Sequence, residues 1–133
     1  MLKITLVSIP VLDQEKALQF YRDILDFEVV HDIPLGGDNR WLTLKSKLQE
    51  NGPELLLEPA PLHFAPSKTY QEEIYKAGMP YTQFDVDDIR QVVAYLKEKE
   101  VNIKTDVTDA GTVWIATFDD TCGNYIQLVQ HKS

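Results

Sequence analysis

The strongest constraint on this chain is that its pattern is written twice. Asp13 and Asp88 each close an apolar strand pattern and open a segment with apolar residues at helical spacing, and they stand 75 positions apart, which aligns Val11-Leu12-Asp13 with Val86-Asp87-Asp88. Further on, Trp41-Leu42-Thr43 matches Trp114-Ile115-Ala116 at an offset of 73, the two lost positions falling in turns. An offset shared by several elements is the signature of an internal repeat, so the chain is read as a duplicated unit.

The content of each copy follows from periodicity. Leu2 to Pro10 reads as a strand, and Asp13 offers an N-cap to a helix carrying Ala17, Leu18, Tyr21, Ile24 and Leu25 on one face, with Glu15 placed to suit the helix dipole. Phe27 to Ile33, Arg40 to Leu44 and Glu54 to Glu58 are strand patterns separated by Gly36-Gly37-Asp38-Asn39 and by a polar stretch ending in Asn51-Gly52. The second copy repeats the order with Tyr81 to Val86, a helix capped by Asp88, and strands at Val101 to Val107, Thr112 to Phe118 and Tyr125 to Gln130. Between them lies a Pro-rich linker and a short helix over Ser67 to Ala77, with Thr69 and Glu72 as a capping box and Gly78 as its stop. The expected fold is therefore α+β, two βαβββ modules over residues 1–58 and 80–133 joined by a linker over 59–79, within a single domain. One helix can cover only one face of a four-stranded sheet, so the opposite faces are left for each other, a ligand or a partner.

Composition narrows the partners. A formal charge of −8, with Lys and Arg scattered rather than striped, argues against nucleic acid and favours neutral or cationic ligands. No apolar run is long enough to span a bilayer. The N-terminal residues pass straight into a strand pattern without a signal-peptide core, and the lone Cys122 rules out an internal disulfide and a cysteine-rich metal site. These features lead to an expectation of a cytoplasmic protein.

Three segments carry a family resemblance. Val11 to Val29 (VLDQEKALQFYRDILDFEV), Glu54 to Pro59 (ELLLEP) and Phe118 to Leu128 (FDDTCGNYIQL) are similar, in order, to the V-x-D-x-x-x-A-x-x-F-Y-x-x-x-L-G-F-x-V opening, the E-L strand and the F-x-D-P-x-G-N-x-x-x-L closing strand of the glyoxalase / bleomycin-resistance / extradiol-dioxygenase superfamily. The resemblance implies that the modules form an open eight-stranded cup with the site inside it. It also implies a divalent metal in the metalloenzyme members, held by one position on the first and one on the last strand of each module. Those positions fall here on Leu6 and Tyr81, and on Gln127 and either Glu54 or Glu58. Leu6 has no donor atom, and neutral Tyr and Gln are poor ligands, so no metal or other cofactor is expected, with a divalent metal as the alternative. None of His31, His63 and His131 falls at a ligand position; His31 is placed at a strand end.

The candidate ligand-binding residues are thus Leu6, Trp41, Glu54, Glu58, Tyr81, Trp114 and Gln127, with Glu58 and Glu54 as candidate catalytic carboxylates. Trp41 and Trp114, taken as equivalent, are expected to face the cup and hold a planar or cationic ligand; core packing beneath the helices is the competing reading. Tyr81 offers a hydrogen bond or fills a half-buried strand site, and Gln127 needs a polar partner if buried. Cys122 reads as a solvent-near bystander in a turn, and Asp119 and Asp120 as caps of local backbone donors. Three functions remain, in this order. The first is a metal-free small-molecule binder. The second is a lyase, isomerase or dioxygenase of the glyoxalase type, with an atypical metal site or a carboxylate base. The third is a purely structural interaction module. The leftover sheet edges point to a homodimer.

Overall fold

The structure, a computed structural model, describes residues 1–133. It contains two compact units, Met1–Gln71 and Glu72–Ser133. The expected linker is divided between them.

In the first unit β1 (Leu6–Val11), β2 (Glu28–Gly36), β3 (Asn39–Lys45) and β4 (Glu54–Pro59) form a sheet of order β1-β4-β3-β2. β1 runs parallel to β4 and the remaining pairs are antiparallel. The connection from β1 is α1 (Gln14–Leu18), whose cap Asp13 accepts from the Lys16 amide at 2.9 Å. The helix continues as a π-helical segment over Gln19–Ile24, in which the Leu25 amide reaches Phe20 O. Widening the turn lets two consecutive aromatics, Phe20 and Tyr21, both point inward, and both are buried. Asp26, at φ +62°, then takes the left-handed exit that ends the helix, at the place where the matched motif has Gly. The helix lies on Ile9, Val11, Leu42, Leu44, Leu55 and Leu57, all buried.

The second unit repeats this plan. β5 (Pro80–Asp85), β6 (Ile103–Asp109), β7 (Val113–Asp119) and β8 (Tyr125–His131) have the order β5-β8-β7-β6, with β5 parallel to β8. α4 (Ile89–Glu98) is capped by Asp88 and, at the Ile89 amide, by Gln130 Oε1 at 2.8 Å. Its Ile89, Val93 and Leu96 are buried, as are Ala116, Phe118, Ile126 and Leu128 on the sheet. Both helix caps, both connections and all eight strands thus fall where periodicity placed them, and the α+β fold with two βαβββ modules is borne out.

Several local expectations are corrected. β1 begins at Leu6, not Leu2. Thr69 is no cap: α2 (Ala60–His63) is followed by α3 (Ala65–Lys76), which starts four residues earlier, and the Thr69 hydroxyl bonds back to Ala65 O. Pro66 at the first turn suits that start, since a missing N–H costs nothing there. Gly78, at φ +71°, does stop α3, and a Cβ there would run into Lys104 Nζ, which bonds the Gly78 carbonyl. Cys122 is buried, only 2 % exposed, rather than near solvent.

Cys122 is drawn in by the fully buried Asp120, whose carboxylate accepts from Cys122 N (2.8 Å), Asn124 N (3.0 Å) and Asn124 Nδ2 (2.9 Å). Beside it, Asp119 caps the Thr121 amide and accepts the Tyr75 hydroxyl at 2.5 Å, while the Tyr75 ring stacks on Tyr125 at 4.4 Å. That bond holds the Tyr75 phenol well above its ordinary pKa. In the first unit Arg40 plays a comparable tying role: its guanidinium bonds Asp32 at 2.7 and 3.0 Å and Glu15 of α1 at 3.0 Å. The bonds raise the Arg40 pKa and hold the Asp32 carboxyl below its usual value.

Two outcomes follow. Asp120→Ala strands three donors in a buried turn and should destabilise the protein by about 2–4 kcal/mol, read as a lower denaturant midpoint at unchanged m-value. Arg40→Met should cost no more than about 1 kcal/mol at pH 7, because the ion pairs are partly solvated. As the folded pKa of Asp32 is depressed, that difference should be intact above the reference carboxyl value of about 3.9 and vanish as pH falls through the depressed one. A gap between variant and parent that does not shrink as pH falls below the reference carboxyl value would contradict it.

Candidate functional site

Alternation along a strand sends neighbouring residues to opposite faces. In the first unit Leu42, Leu44, Leu55 and Leu57 lie under the helix, so the paired residues between them share the helix-free face. The register sets Leu6 opposite Glu54, Ser8 opposite Leu56, Thr43 opposite both Leu56 and His31, and Trp41 opposite Ile33. Leu6, Trp41, Glu54 and Glu58 are therefore on one face. His31 belongs there too: it sits inside β2, not at a strand end as the sequence indicated, because β2 runs on to Gly36.

At one end of this face, where β4 begins, stands a carboxylate with a defined geometry. Thr43 is wholly buried, and its Oγ1 donates to Glu54 Oε1 at 2.7 Å. His31 Nε2 stands 3.8 Å from the same oxygen, an ion pair when the imidazole is protonated. The Glu54 side chain is one-third exposed. Glu58 shares the face at the register position of Pro10 and has no such anchor. Sequence reasoning missed Thr43 and His31. The available signal was their strand-face parity with Glu54, obscured by the register shift in β2 between Val29 and His31.

In the second unit Gln83, Gln127 and Thr117 form one row of the helix-free face, and the two amides bond each other at 2.8 Å. Gln83 is thus the polar partner that Gln127 required. Tyr81 falls at the register shift between Pro80 and Thr82.

The equivalence drawn between the tryptophans does not hold. Ile9 pairs with Leu57 as Phe84 pairs with Leu128, and Thr43 pairs with Leu56 as Thr117 pairs with Gln127. The offset across β3 and β7 is thus 74, so Trp41 corresponds to Ile115 and Trp114 to Arg40. Trp114 pairs with Gln130, the residue that caps α4, and its ring lies under Arg90 of that helix (5.2 Å) and Lys132 (4.3 Å). It is on the helix side.

The same correspondence bears on metal. The position matching Gln127 is Leu56, flanked by the two glutamates, and the first-strand positions remain Leu6 and Tyr81. Two hydrocarbon side chains, a phenol and a neutral amide do not fit a divalent ion. No group of three His, Cys, Asp or Glu side chains is arranged to hold one. A separate open cleft of ≈ 730 Å³ lies at the helix side of the first unit, between Leu12, Asp13, Glu15, Asp32, Arg40 and Leu62. It contains none of the expected site residues, and its one arginine is already engaged by two carboxylates.

These features meet clear relatives. A Bacillus subtilis (strain 168) protein, "Uncharacterized protein YurT", is 47 % identical over 129 residues, covering 97 % of this chain and 99 % of its own. The crystal structure of UcmS2 superposes with a TM-score of 0.80 at 28 % identity, covering 97 % and 98 % of the two chains. That of TnmS3, an antibiotic binding protein from Streptomyces sp. CB03234, does so at 0.74 and 27 %, covering 99 % and 98 %. The profile of the Glyoxalase/Bleomycin resistance protein/Dioxygenase superfamily matches residues 3–128, and the chain belongs to that superfamily.

Proposed function

We propose that this protein binds a small organic molecule on the helix-free faces of its sheets, without a metal, as a cytoplasmic homodimer. The observation that carries the reading is the anchored carboxylate: Glu54, fixed by the buried Thr43, lies on a face that also presents Leu6, Leu56 and Trp41. A few placed polar groups among apolar and aromatic ones is the usual composition of an organic-ligand site. The likeness to TnmS3, which is described as an antibiotic binding protein, supports the same class of activity here.

The homodimer is supported by the strand edges and by exposed apolar side chains away from that face, such as Val7 (43 %) and Phe64 (59 %), which a second copy would cover. No helix is long and apolar enough to cross a membrane. The single free cysteine is compatible with a reducing compartment.

Sedimentation at micromolar concentration should return a particle of about twice the 15.2 kDa chain mass; a 15.2 kDa particle would refute the dimer. In a fluorescence titration with planar aromatic amines and antibiotics, saturable quenching should arise from Trp41. Trp41→Leu should weaken binding about tenfold, on the scale of losing one aromatic contact, while Trp114→Phe leaves it within twofold. Loss through Trp114 alone would place the ligand elsewhere.

A further inference from the structure

The helix-free face of the first unit bears two carboxylates four residues apart on β4, and they differ in how they are held. Glu58 has no side-chain anchor. Glu54 has one oxygen tied to a hydroxyl that is itself out of water, with His31 approaching the same oxygen. The second oxygen, Oε2, makes no bond within the chain. A threonine hydroxyl that is fully buried and directed at a carboxylate does two things. It fixes the side-chain rotamer, and it occupies one carboxylate oxygen with a donated hydrogen while adding no charge.

The result is a carboxylate with a fixed direction and a free acceptor on a face that also presents Leu6, Leu56 and Trp41. An acceptor-only group of this kind rewards a donor, above all a cationic one, and penalises an anion or an unmatched acceptor. Lys45 and His31 share this face, and His31 Nε2, at 3.8 Å from Glu54 Oε1, stands farther off than the Thr43 hydroxyl.

We infer that Glu54 is the residue that sets ligand specificity, selecting molecules that join a planar apolar body to a protonated amine, and that Thr43 is its positioning residue. This rests on the binding function proposed above. Glu58, unanchored, contributes to the general negative potential but not to the selection. A mobile carboxylate loses conformational freedom when it pairs with ligand, and an already ordered one does not.

The test uses three probes that share one ring system and differ in charge: 2-naphthylmethylamine, 2-naphthylmethanol and 2-naphthoate. Each is titrated calorimetrically against the whole 133-residue chain at moderate salt, with thermal melts to confirm folding. The parent should bind the amine about tenfold or more tightly than the alcohol, and the carboxylate weakest, as expected for one charge-assisted hydrogen bond. Glu54→Gln should erase the difference between amine and alcohol while the alcohol still binds. Glu58→Gln, which removes the same formal charge, should keep the preference within twofold. Thr43→Val should reduce the preference severalfold, and Thr43→Ser, which retains the hydroxyl, should restore it. A preference that survives Glu54→Gln, or is lost equally in Glu58→Gln, overturns the inference while leaving the binding function standing. Binding of none of the probes by the parent overturns both. A Thr43→Ser variant that is folded yet behaves like Thr43→Val removes Thr43 from the positioning role.

Discussion

A four-stranded sheet accompanied by one helix has only one face covered by that helix, and this imbalance governs the rest of the molecule. On the covered side the selection is for volume: Leu42, Leu44, Leu55 and Leu57 in one unit, and Ala116, Phe118, Ile126 and Leu128 in the other, are buried. On the other side the chain is free to place Thr43, Glu54, Gln83 and Gln127, because nothing within the unit demands an apolar residue there. The parallel pairing of β1 with β4, and of β5 with β8, follows from the same arrangement. The helical crossover carries the chain from the first strand of each unit to the far edge of the sheet in the same direction, and two antiparallel returns bring the last strand back beside the first.

Much of this was readable beforehand. The caps Asp13 and Asp88, the turns and the alternation of leucines in β4 are local signals whose physics is settled within a few residues, and they located every strand and both packing helices. What failed did so where a single inserted residue changes the outcome. The offset of 73 that equated the tryptophans differs by one from the true 74, and in a strand one position is the whole difference between two faces. The π-helical segment and the bulge beside His31 are insertions of the same kind, decided by tertiary packing. Cys122 was misjudged because the burial of its turn depends on the Asp120 carboxylate, whose hydrogen-bond partners are recognised only once the loop is closed.

For the site, the sequence supplied the right carboxylates but not the distinction between them. Glu54 and Glu58 are equivalent by spacing; the anchor from Thr43 comes from another strand and separates them. The metal positions were readable as donor-poor, and superimposing the register of one unit on the other strengthens that conclusion by assigning Leu56 where a glutamate had seemed possible. The superfamily match fixes the fold and leaves chemistry to such details, as expected for a scaffold that supports several activities.

The correspondence of Arg40 with Trp114 extends to their partners, since Glu15 and Arg90 are also one repeat apart. At one spot in two copies of one scaffold, the first uses a guanidinium between carboxylates and the second uses an indole between cations. Screening by dissolved ions weakens the former more than the latter, in which the ring quadrupole and buried carbon area act at short range. The duplicated halves are therefore expected to differ in halotolerance, so that rising ionic strength loosens the amino-terminal copy first. Two copies of one plan thus register the composition of the surrounding solution unequally.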